Sequence, residues 1–290
     1  MDAFIFQIMT GFATGSIYAS VALALVIIFR STHELNLAQG EMAMFSTFVA
    51  WQLIEFNVPY WGAFAITLVF SFFAGMLIER ILVRPAQNGN PLTAVAIFVG
   101  LMLIINGMAG WIFGFTMRDF PSPFENLFTG LPVALSGHEI GMLAVVFTML
   151  LLIFLFFRFT PLGLALRAVA VNPESCRLVG ISVNRMLAIG WGLAAMIGSV
   201  AGMMAAPILF LDPHMMAFIM TYGLAAAVLG GLDSPLGAII AGLLLGVMEN
   251  LAGAYVVGPE LKLPLALLVI FSVLVFRPRG LMGHVVIKRV

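Results

Sequence analysis

Long apolar stretches alternate with short polar or charged connections along the whole chain. A helix needs about 20 apolar residues to cross a bilayer, because its backbone groups cannot be left unpaired in hydrocarbon. The stretches that span the bilayer or nearly do so are 3–29, 42–56, 59–78, 91–117, 140–157, 186–206, 215–232, 235–256 and 262–276. The pattern predicts an all-α polytopic membrane protein with about eight or nine transmembrane or part-spanning helices.

Two places in this pattern are less regular than the rest. The second stretch is short and follows a polar run, HELNLAQGEMAMF (33–45). Glycine, aspartate and proline interrupt the apolar run VLGGLDSPLGAIIAG (228–242). Such interruptions are typical of helices that begin or break within the bilayer. We therefore expect a re-entrant or broken helix at both places.

Glycines recur four residues apart, which places two small residues on one face of a helix. Such pairs let another helix approach closely and gain van der Waals contact. We interpret them as packing positions, with a moving helix interface as the alternative. The pairs are Gly11 with Gly15, Gly110 with Gly114, Gly198 with Gly202, and Gly242 with Gly246.

The basic residues concentrate in three connections, which sets the expected orientation. They are 79–90, 158–185 and the tail from residue 277. Cytoplasmic loops carry an excess of Lys and Arg, and an even number of apolar stretches separates each pair of these connections. The C-terminus is therefore expected in the cytoplasm, and the N-terminus and the acidic loop 118–139 outside. The first stretch is too long for a signal peptide, so we interpret it as an uncleaved span.

The composition excludes several classes of protein. Of 290 residues, 62% are hydrophobic and 9% charged, and the mean hydropathy is +1.14; a soluble domain would carry about 25% charged residues. The sequence shows no strongly basic or acidic tail of the kind that would indicate nucleic-acid binding. Cys176 is the only cysteine, which excludes an intramolecular disulfide and a cysteine–histidine metal site. The GxxxxGK[ST], HExxH and GxSxG motifs are absent from the sequence, so we assign no catalytic residue, metal or cofactor.

The polar run 33–45 raises the question of what these side chains do between two apolar stretches. Polar groups at membrane depth must line a wet cavity or pair within protein. Gly40 would let a helix begin there, as in some carriers. We assign Asn36, Gln39 and Glu41 to the translocation pathway, with a solvated cytoplasmic turn as the alternative. Gln39→Leu should then impair transport more than folding.

Two further candidates for the pathway, Tyr18 and Glu249, lie inside apolar stretches. An ionisable group within the bilayer is a functional-site hypothesis by default. The alternative is a hydrogen bond between packed helices, which is a common use of polar side chains in membrane bundles.

The basic connection 158–185 contains the signals of a short helix. A side-chain cap, a proline at the first helical position and an acidic residue favour a helix start, and a glycine favours its end. These signals are Asn172, Pro173, Glu174 and Gly180. A helix of about two turns at 173–179 is too short to be stable alone, so it must rest on another surface. That surface is either a partner protein or the lipid headgroups, with Arg177 on anionic lipid.

The segment ESCRLVG (174–180) resembles the EAA loop of ABC-importer permeases, with Ser175 and Cys176 where alanine is usual. Longer motifs resemble a narrower family, the LivH-type permeases of branched-chain amino acid ABC transporters. They follow the family's order over most of the chain: TGSIYASVALAL (14–25), LNLAQGE (35–41), ERILVRP (79–85), TPLGLALRAVAVNPESCRLVGISVNR (160–185) and VLGGLDSPLGAIIAGLLLGVMENL (228–251).

The resemblance implies that residues 1–290 form one permease domain in a bacterial inner membrane. The implied partners are a second, LivM-type permease, two cytoplasmic ATP-binding subunits and an extracytoplasmic substrate-binding protein, besides membrane lipid. ATP would be hydrolysed by those separate subunits and not by this chain. Within the loop 158–185, the residues that would couple the permease to the ATPase are Pro173, Glu174, Ser175, Cys176, Arg177 and Gly180.

Other functions stay open beside an importer of branched-chain amino acids. The same family contains permeases for urea and short amides, and Gln39 and Leu37 stand where histidine and phenylalanine are usual. A secondary carrier would couple ions through carboxylates such as Glu41 or Glu249, and a channel would conduct without an energy source. The docking loop favours the ABC importer.

Overall fold

The computed structural model describes residues 2–32, 34–86, 91–125, 135–256, 258–277 and 280–283. Most of the basic tail and part of the loop 118–139 lie outside these ranges. A π-helical segment, Glu79–Val83, follows α3, and a 3-10 turn, Pro259–Leu261, precedes α12. The α-helices are α1 Asp2–Thr32, α2 Gln39–Glu55, α3 Tyr60–Ile78, α4 Arg84–Ala86, α5 Pro91–Phe113, α6 Gly137–Phe159, α7 Pro161–Val171, α8 Pro173–Leu178, α9 Val183–Leu209, α10 Met216–Gly230, α11 Pro235–Tyr255 and α12 Lys262–Phe276.

Each predicted apolar stretch contains a helix, which confirms the all-α polytopic fold. Within the described ranges, six helices are long and apolar enough to cross a membrane: Ala3–Thr32, Tyr60–Val83, Leu92–Phe113, Gly137–Phe159, Val183–Leu209 and Pro235–Tyr255. The other three stretches hold shorter helices, α2 with 17 residues and α10 and α12 with 15 each.

Several helix boundaries differ from the prediction by a few residues, among them the ends of α1 and α5. The first helix continues to Thr32 rather than ending at residue 29, and α5 ends at Phe113 rather than at residue 117. Gly114, directly after α5, has φ +81°, a conformation that ends a helix and that glycine adopts without strain. Gly110 and Gly114 therefore do not share a helix face, and that predicted pair was wrong.

The centre of the bundle is formed by α1 and α9. Over their most apolar segments these helices are 83% and 78% buried, whereas the spans of α3 and α5 are each 22% buried. A helix that is buried all round belongs to a core, and one with a wide apolar exposed face needs lipid or another subunit to cover it. The outer faces of α3 and α5 are therefore available for lipid or a partner.

Glycines bring α1 and α11 into close antiparallel contact. A Cβ atom added at Gly15 would lie 2.8 Å from the carbonyl oxygen of Leu243, and one added at Gly242 would lie 2.5 Å from Cα of Ala19. Gly198 and Gly202 let α2 pack closely against α9 in the same way, since a Cβ at Gly202 would lie 2.9 Å from the carbonyl oxygen of Ala43. These glycine pairs are the packing positions that the sequence predicts.

Gly246→Ala is expected to destabilise the folded chain by about 1–3 kcal/mol, through overpacking. The added Cβ would lie 2.3 Å from Cα of Gly15 and 2.5 Å from the carbonyl oxygen of Gly11. Backbone atoms cannot relieve such a clash by a change of side-chain rotamer. Gly100→Ala is the matched control, because the Cβ added there meets no other described residue within 4 Å outside its own helix turn. Thermal unfolding in detergent compares the two variants. Equal melting temperatures would contradict the close approach of α1 and α11.

The helix α2 runs parallel to α9 but begins beside its middle. Gln39, the first residue of α2, donates to the carbonyl of Ala194. Ala194 lies eleven residues after Val183, the start of α9, or about 16 Å along the helix. The non-helical segment 34–38 therefore lies well inside the bundle, where backbone outside helices must be buried in protein or line a cavity. The re-entrant start predicted for 33–45 is observed in its described part.

The interruption at 228–242 is a turn between two helices. The last residue of α10 is Gly230, and Gly231 follows with φ +103°. The Ser234 hydroxyl accepts a hydrogen bond from the backbone N–H of Gly237 at 3.1 Å and so caps α11. The predicted broken helix is thus two helices, of which α10 is only 15 residues long.

The π-helical segment after α3 holds a buried ion pair. Glu79 is fully buried, and the Arg84 guanidinium donates to its two carboxylate oxygens at 2.6 and 3.2 Å. Arg84 also donates to the carbonyl of Asn184 at 3.0 Å, in the first turn of α9. The end of α3 is therefore tied to the last residues of the connection 158–185, where α9 begins.

Candidate functional site

A cavity of about 420 Å³ lies between α1, α9, α10, α11 and the start of α12. It lies toward the end of the bundle that carries the connection between α9 and α10, because it reaches the last residues of α9 and the first turn of α10. Most of its lining is apolar, and the polar groups converge on one side. The lining residues are Thr14, Ile17, Tyr18, Ala205, Ile208, Leu209, Phe218, Ile219, Tyr222, Glu249, Glu260, Lys262 and Leu263.

Glu249 is at the centre of the polar side of the cavity. The Tyr18 hydroxyl donates to its carboxylate at 2.7 Å, and the Tyr222 hydroxyl interacts with the same carboxylate. The two tyrosine rings are stacked, with centroids 4.7 Å apart. The structure thus brings together two of the residues predicted for the pathway, although 231 positions separate them in the sequence.

Lys262 faces Glu249 from the start of α12. Its ammonium nitrogen lies 3.9 Å from one Glu249 oxygen and 3.3 Å from the side-chain oxygen of Asn250. The lysine stem crosses α11 at Gly253, where an added Cβ would lie 2.2 Å from the lysine Cε. Sequence reasoning missed Lys262 and Tyr222, because each stands inside or beside an apolar stretch with no local partner.

Asn36 and Gln39 do not reach this cavity. Both are fully buried, with the Asn36 amide 3.3 Å from the Gln39 side-chain oxygen and the Gln39 amide 2.9 Å from the Ala194 carbonyl. The solvated-turn alternative was therefore wrong for these two residues. Their place in a translocation pathway stays a prediction, and their burial means that Gln39→Leu would also affect packing against α9.

Glu41 belongs to a third polar group, on the first turn of α2. Its carboxylate accepts a hydrogen bond from the Asn106 amide at 3.1 Å, and the same amide donates to the Pro213 carbonyl at 2.7 Å. Asn106 therefore links α2, α5 and the connection between α9 and α10. The sequence offers no signal for this link, since Asn106 is a single polar residue within an apolar stretch and no local pattern indicates its partners.

The predicted short helix is present as α8, Pro173–Leu178, at the other end of the bundle. The Asn172 side chain accepts a hydrogen bond from the Ser175 N–H at 2.9 Å. Gly180 has φ +84°, the left-handed conformation expected of a helix stop. Cys176 is 5% exposed and fixes the helix against the rest of the chain.

The outward side of α8 carries both charged and apolar residues. Pro173, Glu174, Ser175 and Arg177 are exposed, as predicted for a docking helix. Leu178 and Val179 are 89% and 75% exposed. Large apolar side chains at such exposure need a partner surface or lipid, and this apolar part of the surface was not predicted.

A helix that the sequence reasoning missed, α7, supports α8. The Thr160 hydroxyl caps α7 by accepting from the Gly163 N–H at 3.0 Å. The buried residues of α7 are Gly163, Leu166 and Val169. Between α7 and α8 lies a groove of about 540 Å³. The chain thus presents two distinct features, a partly open cavity with one polar side at one end and an exposed capped helix at the other.

Comparison with known proteins fits this arrangement. The family model described as branched-chain amino acid transport system / permease component matches residues 7–276. The chain belongs to this permease family. As a member, it is a multi-pass membrane permease, which agrees with the apolar helices of the fold.

Curated relatives of this permease cover nearly its whole length. It is 28% identical to the high-affinity branched-chain amino acid transport system permease protein LivH of Escherichia coli, over 99% of this chain and 98% of the relative. It is 29% identical to the corresponding permease protein BraD of Pseudomonas aeruginosa, over 98% and 97%. The solved structure titled PsaBC from Streptococcus pneumoniae in complex with Fab covers 93% of this chain and 91% of that chain, at 14% identity and a TM-score of 0.49.

Proposed function

We propose that this permease imports branched-chain amino acids as the transmembrane subunit of an ABC transporter, with ATP hydrolysed by separate cytoplasmic subunits. The observation that carries the proposal is α8, a capped two-turn helix that stands exposed at one end of the bundle. Such a helix needs a partner surface. The names of the LivH and BraD relatives support the substrate class.

The proposed coupling surface consists of the exposed residues of and after α8, whereas the predicted Cys176 is buried and holds the helix in place. The exposed residues are Pro173, Glu174, Ser175, Arg177, Leu178, Val179 and Gly180. Glu174 and Arg177 are three residues apart on one face, so both charges point toward the same partner. The adjacent exposed Leu178 and Val179 would be buried by that contact. A cleft on a cytoplasmic ATPase that accepts a short helix with an apolar tip fits this surface.

Charge supports an orientation with α8 in the cytoplasm. Arg84 and the exposed Arg177 lie at the same end of the bundle, and basic residues concentrate on the cytoplasmic side of membrane proteins. The N-terminus and the 420 Å³ cavity would then lie toward the outside. An extracytoplasmic binding protein would deliver its ligand at that end.

A second permease subunit would complete the pathway. The spans of α3 and α5 are only 22% buried within this chain, so a large apolar surface is free for lipid or a second subunit. Carriers commonly alternate access between two related halves. If one ATPase pair and this chain alone supported full transport in proteoliposomes, a LivM-type partner would not be required.

Uptake competition tests the substrate class. The permease is expressed with the binding protein, second permease and ATP-binding subunits of its own operon in cells that lack other leucine importers. Unlabelled isoleucine and valine should abolish uptake of labelled leucine, and a Walker-site variant of the ATPase should do the same. Competition by urea or acetamide but not by isoleucine would favour the short-amide permease, and uptake without ATP hydrolysis would favour a carrier or channel.

A further inference from the structure

The polar side of the 420 Å³ cavity is built like a site for a zwitterion. It pairs the Glu249 carboxylate with the Lys262 ammonium, and places both beside an apolar wall that includes Ile17, Leu209 and Ile219. An α-amino acid with an aliphatic side chain carries the same three features, two opposite charges and an apolar group. This inference rests on the proposed function and assigns residues to it.

We propose that Glu249 is the counter-charge for the substrate ammonium, and that Lys262 occupies this position until substrate enters. The substrate ammonium would then replace that of Lys262 at Glu249, and Lys262 would pair with the substrate carboxylate. No covalent bond changes in this exchange. Each charge keeps an opposite charge beside it throughout, which a buried charge requires.

The geometry of Glu249 supports this assignment. Its side chain is 10% exposed, so it is mostly removed from bulk solvent. One carboxylate oxygen accepts from the Tyr18 hydroxyl at 2.7 Å, while the other is 3.9 Å from the Lys262 nitrogen. An ionised carboxylate has about four acceptor positions, and a direct hydrogen bond to nitrogen is about 2.7–3.2 Å long. The tyrosines therefore orient Glu249, and room remains for a closer donor.

Lys262 is suited to move during the exchange. Its side chain is 29% exposed and its nitrogen makes a 3.3 Å contact with Asn250 rather than a direct bond to Glu249. The lysine stem has four flexible carbons, and Gly253 leaves it room to cross α11. The ammonium can therefore leave Glu249 without any movement of the helices.

Uptake with Glu249→Gln is the first test, in proteoliposomes that hold the complete transporter and its binding protein. Leucine uptake should fall at least about tenfold, because a charge-assisted bond becomes a neutral one. Binding-protein-stimulated ATP hydrolysis should stay close to wild type. Glu55→Gln is the matched control, since Glu55 is an exposed carboxylate that does not line this cavity, and it should transport normally. Normal leucine uptake by Glu249→Gln would overturn the proposal.

Cysteine labelling gives a second test that does not depend on transport. Thr14 lines the cavity, and the native Cys176 is buried at the other end of the bundle, so Thr14→Cys provides one reactive thiol. A trimethylammonium methanethiosulfonate should modify it faster than a sulfonate methanethiosulfonate, because Glu249 attracts cations. Glu249→Gln in this background should remove the difference, and leucine should slow the cationic reagent.

The labelling result separates this inference from the proposed function. Charge preference and leucine protection in the Thr14→Cys complex support the site even if Glu249→Gln fails to assemble. Equal rates for the two reagents, or no protection by leucine in a complex that transports leucine, would overturn the site and leave the proposed function intact. Failure of the wild-type complex to transport leucine would refute the proposed function itself.

Discussion

Arg84→Met is expected to destabilise the permease by about 3 kcal/mol, the lower end of the range for breaking a buried ion pair. The substitution leaves Glu79 fully buried without its partner, because both carboxylate oxygens accept hydrogen bonds from Arg84. The lower end applies because the Arg84 side chain is itself 30% exposed. Thermal unfolding of the purified permease in detergent measures the loss.

The double variant Glu79→Gln with Arg84→Met separates the cost of leaving the Glu79 charge unpaired from the cost of losing the other contacts of Arg84. It removes both charges, so most of the lost stability should return. Part of the stability should not return, since the double variant still lacks the 3.0 Å hydrogen bond from Arg84 to the Asn184 carbonyl. An Arg84→Met variant that unfolds at the wild-type temperature would show that the pair contributes nothing.

The same ion pair bears on how motion at α8 could reach the membrane. Asn184 lies in the first turn of α9, only a few residues after α8 ends, and Arg84 connects it to the end of α3. A displacement of α8 would therefore act on α3 as well as on α9. The π-helical segment Glu79–Val83 lies between α3 and this contact.

Much of the fold follows from local sequence signals. Hydrophobic stretches predicted the helices, because a helix in lipid needs only length and apolarity. The caps at Asn172 and Gly180 predicted α8 to within one residue, because a cap acts on its immediate neighbours. The glycine pairs of α1 and α11 predicted close packing, but not which helices would meet.

The features that were missed depend on distant or weak signals. The helix α7 is an 11-residue amphipathic segment, too short for a span and close to a stronger helix signal. The π-helix has no residue signature of its own. The site at Glu249 combines α1, α10, α11 and α12, and no local pattern indicates that Tyr18 and Lys262 share one carboxylate.

The polar run 33–45 shows that a local signal can predict where a helix begins without determining what its side chains do. Polar residues in an apolar surrounding correctly marked a helix that begins inside the bundle, at Gln39. The same pattern arises whether the side chains line a cavity or pair within the protein. The fully buried amides of Asn36 and Gln39 pair internally, and the 420 Å³ cavity is lined by residues of other helices.

Gly180→Glu is expected to leave the permease folded and inserted while abolishing substrate-dependent ATP hydrolysis and co-purification of the ATPase. Gly180 follows α8 with φ +84°, a conformation that costs a residue with a side chain about 1 kcal/mol. Apart from its chain neighbours, no residue in the described part of the chain lies within 4 Å of a Cβ at that position, so the new side chain meets no obstacle there. Its bulk and charge would instead enter the docking surface beside Leu178 and Val179.

Gly180→Asn is the matched control for backbone conformation, because asparagine adopts the left-handed conformation more readily than other residues with side chains. It should retain most of the coupling, whereas Gly180→Glu should lose it. Uptake, ATPase stimulation and co-purification are measured on complexes with equal melting temperatures, so that folding is excluded as the cause. If Gly180→Glu binds the ATPase and transports at the wild-type rate, α8 does not dock there. Its exposed Leu178 and Val179 would then rest on lipid headgroups, with Arg177 on anionic lipid.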